Sequence, residues 1–167
     1  LSEATDGAGK GAASVFGESF WAAGLCELLD EPRAVVEAQL AALVGAELIV
    51  AHGQRRFAGQ LEHGFRHVLM REGVYAKLTE HDRALAHARA ATWLLDAGER
   101  DASVLAHHFE LGGQLGRAID FHTRAAEQAL ALSDFLGALR RAERGLALTP
   151  EPERAAELWS VIAHASF

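Results

Sequence analysis

The sequence is poor in the residues that build sheets, staples and membrane anchors. One cysteine, Cys26, stands among 167 residues, so no internal disulfide can form and a reducing compartment is expected. Its neighbours Leu25, Leu28 and Leu29 predict a small buried hydrophobe, not a reactive thiol. There are three prolines, and aromatic residues make up 7% of the chain, so both helix breakers and strand formers are scarce. No apolar run approaches the ~18 residues that cross a bilayer. The polar start LSEATDGAGKG lacks the pattern of a secretory signal, which predicts a cytoplasmic protein. Lys and Arg total 16 against 23 Asp and Glu, and the net charge of −7 argues against a general nucleic-acid binder.

What is present favours helix. Alanine and leucine dominate a chain that is 50% hydrophobic, enough for one ordinary domain or two small ones. The first residue is not Met and the last, ASF, interrupts a helical pattern, so the chain reads as an excised piece of a longer protein. Residues 1–11 predict a linker. From 12 to about 29, a short helix, a break at Gly17 and a second helix are expected, the latter with Phe20, Trp21, Leu25 and Leu28 along one side. A helix over about 33–46 presents Val36, Leu40, Leu43 and Val44 on one face. The period then changes. LIVA (48–51) and LEHGFRH (61–67), separated by GQRRFAGQ, predict a two-stranded β-hairpin with Leu61, His63, Phe65 and His67 on one side. Three helices and a hairpin are the layout of a winged helix, assigned to residues 12–77.

From Val68 on the pattern is helical. Thr79 caps a long helix ending at Gly98, Asp101 opens another that Gly112-Gly113 stops, and helices follow at about 115–131, 134–147 and 153–165. Residues 78–167 carry weak tetratricopeptide spacing: Leu105-Ala106 with Phe109, then Ala118, His122 and Ala125, then Ala138, Ala142 and Pro150. The predicted fold is therefore mainly α, a small winged helix followed by a tetratricopeptide-like array whose last repeat is incomplete.

Several stretches imitate catalytic motifs and miss a required residue. HGFRH spaces its histidines as H-E-x-x-H does, but Gly64 stands where the general base belongs. On a strand, two positions four apart lie about 13 Å apart, too far for one metal ion. GESFW (17–21) ends in Trp21 where a nucleophile elbow needs glycine, and no parallel sheet is predicted to present Ser19. GAGKGAAS (7–14) lacks the Ser or Thr that follows Lys in a phosphate loop. His107 and His108 point about 100° apart on a helix, so neither they nor His81 and His87 compose a metal site. No catalytic residue and no metal are expected. DNA recognition would fall to the helix at 33–46, whose polar face holds Arg33, Glu37 and Gln39 and no phosphate-binding cluster. Arg55 and Arg56 are the one basic pair nearby.

AASVFGESFW, the V-x3-L-x2-L helix, FRHVLMREGVY, R-A-L-A-H and LAHHFELGG follow one another over about 12–150. As an ordered set they resemble the region after the nucleotide-binding domain of bacterial STAND-class signalling ATPases. The resemblance implies a winged helix that packs on the ATPase of the same parent protein and restrains its ADP-bound state. It also implies helical repeats that bind a partner protein or self-associate. ATP or ADP would belong to the parent protein and no cofactor to this chain. Members of the class carry a histidine that contacts a nucleotide phosphate; His67 matches it in FRHVL, with Val68 where the motif has Asp. Residues expected to line a partner groove in the repeats are His107, Glu110 and Gln114. A DNA-binding winged-helix regulator is the alternative.

Overall fold

A computed structural model describes residues 2–52 and 56–166, with side chains from Gly9 onward. The chain is mainly α-helical and divides into two compact units, Leu1–Gly98 and Glu99–Phe167. The first holds α1 (Ser2–Val15), β1 (Ser19–Trp21), α2 (Ala22–Leu29), α3 (Arg33–Gly45), β2 (Ile49–His52), β3 (Glu62–Phe65), α4 (Val68–Ala76) and α5 (Glu80–Asp96). The second holds α6 (Ala102–Leu111), α7 (Leu115–Ala131), α8 (Phe135–Ala147) and α9 (Pro152–Ala165).

The segment expected as a linker, 1–11, is instead most of α1. Its small residues serve close packing. A Cβ on Gly11 would come within 2.9 Å of the Leu78 side chain, and one on Gly9 within 3.0 Å of Gln39, while Ala12 and Ala13 are buried. A run that looks flexible by composition is the face along which a helix approaches its neighbours.

Phe20 and Trp21 were expected on a helix and lie on β1. Gly17 adopts φ +97, a left-handed turn that glycine makes without a steric cost, and the next residues pair antiparallel with β3. Phe20 sits opposite His63, their rings stacked at 5.9 Å. The sheet therefore has three strands in the order β1-β3-β2, not the two of the expected hairpin. The order of elements in this unit is helix, strand, two helices, two strands and two helices.

The core of this unit gathers Phe20, Leu25, Val36, Leu40, Leu43 and Ile49. Val44, expected on the buried face of α3, is 38% exposed. Beyond β2, Arg55 lies outside the described residues, but Phe57 is buried with its ring 4.7 Å from Trp21 and 5.5 Å from Trp93. Phe57 thereby pins its segment to the core.

Helix α5 was assigned by sequence to the second domain, with a boundary after residue 77. It packs on α1 and α2 instead, so the division falls after Gly98. Trp93 is the reason: its ring lies 5.6 Å from Phe16 and 5.5 Å from Trp21. Arg89 adds a hydrogen bond to the Leu28 carbonyl at 3.1 Å, one of the open acceptors at the end of α2.

In the second unit α6 and α8 start at side-chain caps, α6 at the Asp101 expected to open it. Asp101 accepts from the Ser103 amide and Asp134 from the Gly137 amide, both at 2.8 Å. Helix α7 packs on α6 and α8, and α9 on α8 and α7. Of the residues of the repeat-like spacing, Leu105, Ala106, Phe109, Ala118, His122, Ala125, Ala138 and Ala142 are buried, and Pro150 is half-buried. No described helix is long and apolar enough to cross a membrane.

Candidate functional site

The seam from β3 into α4 carries the opening HGFRHVLMR of the sequence motif, and the structure separates its two histidines. His63 points to the inner face of the sheet, is 6% exposed, and burial holds its imidazole below the ordinary histidine pKa. His67 has left the strand. It is the N-cap residue of α4, extended at φ −128 and ψ 124, exposed, and its side chain makes no capping bond. Leu61 is likewise outside β3 and 46% exposed, so the expected four-residue stripe reduces to His63 and the partly buried Phe65. Among the described residues no three of His, Cys, Asp and Glu gather as metal ligands.

The outer side of the sheet, next to that seam, bears a cleft of about 600 Å³. Its floor is Gly64. A Cβ there would lie 2.6 Å from the His52 Nε2 and 3.0 Å from the Glu18 carbonyl oxygen, so glycine is what lets the His52 ring and this carbonyl close over the strand. Ser19, opposite Gly64 in the ladder, donates its hydroxyl to Glu62 at 2.5 Å. The other wall is Phe65, Arg66, Val68 and Arg71. Arg66 meets Glu47 at 3.9 Å and Arg71 meets Glu72 at 4.0 Å, beyond hydrogen-bond distance, and both carboxylates are more than half exposed. Val68 is 54% exposed and Leu69, beside it on α4, 78%. His67 does not line the cleft, although the residues on either side of it do.

The three residues expected to line a groove in the second unit have different surroundings. His107 is exposed on α6. Gln114 is the N-cap residue of α7, and its side-chain oxygen accepts from Arg117 at 3.4 Å. Glu110 was expected to be an exposed position and is not: its side chain is 15% exposed, and it is held by Arg144 and by His122 Nε2 at 2.9 Å. The Arg144 guanidinium, then His122, hold its carboxyl below the ordinary carboxylate range against the opposing effect of burial. Glu110 therefore ties α6, α7 and α8 together and offers little to a partner.

Sequence reasoning missed Arg144, Ser19 with Glu62, and the pair Arg66 and Arg71. One signal was available for the first. Glu110 and Arg144 are 34 residues apart, and so are Asp120 and Arg154, whose side chains meet at 2.9 Å. Two complementary charge pairs at one long spacing are a trace of helices recurring with that period. The cleft left no such trace, because pairing across β1 and β3 brings its residues together.

No protein-family model, no curated protein and no solved structure matches the chain.

Proposed function

We propose that this chain is a non-catalytic regulatory and protein-interaction segment of a larger signalling ATPase of the STAND class. The first unit, as a winged helix, restrains the ATPase domain of the parent protein. The second unit, as tetratricopeptide-like repeats, binds a partner protein or a second copy. The work is conformational and cytoplasmic, and the nucleotide, ATP or ADP, belongs to the ATPase. His67 would reach a nucleotide phosphate only in the assembled parent protein; its exposed position at the start of α4 leaves it accessible for that contact.

The observation that carries this proposal is the outward face of the β3–α4 seam. Arginines with weak ion pairs and exposed Val68 and Leu69 surround an open cleft, a composition typical of protein-binding surfaces. For the helical array, the two ion pairs at a spacing of 34 residues support the tetratricopeptide assignment, since that is the length of one such repeat.

The DNA-binding alternative draws on the order of strands and helices in the first unit. Against it, α3 carries one basic residue, Arg33, and that guanidinium is bound to Glu37 at 2.7 Å. The test is binding of the chain to the ATPase domain of its parent, beside an electrophoretic shift with mixed duplexes at low salt. ATPase binding without a shift is expected; a shift without ATPase binding favours the alternative. Steady turnover by the chain that is lost on His67→Ala or Ser19→Ala would contradict the non-catalytic assignment.

A further inference from the structure

We infer that the cleft over Gly64 receives an acidic, apolar-flanked segment of a partner protein, with Arg66 and Arg71 as its carboxylate-binding groups. The inference rests on the protein-interaction role proposed above and names the face and the chemistry of what docks there.

Three features define the occupant. The first is shape. A cleft of about 600 Å³ lies open beside Gly64, lined by Ser19 and Glu62 as well as by Arg66, Val68 and Arg71. The second is charge. The acidic residue nearest the floor, Glu62, is engaged by the Ser19 hydroxyl at 2.5 Å, whereas the two guanidiniums on the facing wall make only the long pairs with Glu47 and Glu72. An incoming carboxylate can form the short, paired hydrogen bonds that these arginines lack. The third is apolar surface. Val68 lines the cleft at 54% exposure, so an aliphatic side chain beside the carboxylate would be drawn out of water. Arginine set among apolar residues is the composition of interface hot spots.

The experiment uses the whole chain and two probes. A capped peptide alternating Leu and Glu is titrated in while backbone amide resonances are followed, beside its Leu-Gln counterpart and inorganic phosphate. The Leu-Glu peptide is expected to shift the amides of Ser19, Gly64 and Phe65, and the Leu-Gln peptide and phosphate to leave them in place. The charge reversal Arg66→Glu with Arg71→Glu is expected to weaken peptide binding by about tenfold or more. The double reversal changes partly exposed side chains, so loss of binding reports on the cleft and not on folding. Equal shifts from the Leu-Gln peptide, the same shifts from phosphate, shifts confined to other residues, or none at all would overturn the inference.

In parallel, the parent's ATPase domain is titrated against wild type and the double reversal. ATPase binding that survives the reversal overturns the cleft as the docking face and leaves the proposed function standing. Absence of ATPase binding to the wild type overturns the proposed function, and the peptide titration then judges the cleft by itself.

Discussion

His63 and Glu110 show how surroundings set the work of a titratable side chain. His63 is buried against Phe20, and burial disfavours its protonated form. The unfolded chain therefore binds more protons between the lowered folded pKa and the ordinary value of about 6.5. Its contribution is fully present above that window and is lost as the pH falls through it. Urea unfolding at about pH 7.5 and about pH 5.5 should show lower stability at the acid end, and His63→Leu should reduce that difference. Glu110 has the opposite origin and a lower window. Its folded pKa is depressed by Arg144 first and His122 second, so its stabilisation is present above about pH 4.3 and lost as the pH falls below. Replacing Glu110 by Ala leaves His122 buried without its carboxylate partner, and should cost about 1–3 kcal/mol in urea unfolding. Arg144→Ala should cost less, because that side chain is 56% exposed.

At the scale of elements, helices of the second unit were legible because breaks separate them, Gly112-Gly113, Ser133-Asp134 and Thr149-Pro150. Asp101 and Asp134 cap, and Gly113 at φ +71 ends a helix where a glycine was expected to. Strand β1 was not legible. Three residues cannot show a period of two, and Phe20 and Trp21 fit a helical face as well as a strand. Helix α1 was hidden for a different reason. Its glycines lower helix propensity locally, and only the tertiary contacts with Leu78 and Gln39 explain them. Gly24 is another such contact: a Cβ would meet Phe16 at 2.7 Å and Trp93 at 3.1 Å. Gly24→Val should therefore lower stability by about 1–3 kcal/mol through overpacking, read by thermal unfolding of the tryptophan fluorescence. Phe57→Ala should cost about 3–5 kcal/mol, since the ring is buried between Trp21 and Trp93. A segment that merely hung in solvent would tolerate that change.

At the scale of the whole molecule, the division after Gly98 assigns α5 to the first unit, so the tryptophan cluster forms from Trp21 and Trp93 together. A fragment ending near residue 77 removes Trp93 and should lose the cooperative unfolding that a fragment ending at Gly98 retains. The motif around His67 was readable as a sequence, and its place between strand and helix was anticipated. The cleft beside it was not, because Ser19, Gly64 and Arg66 come from separate stretches that strand pairing joins. The central claim is that the chain restrains an ATPase in its resting state. Calorimetric titration of the chain into the ATPase domain of its parent, loaded with ADP and then with ATP, tests it most directly. Tighter binding to the ADP-loaded domain is predicted; no binding, or tighter binding to the ATP-loaded domain, would contradict it.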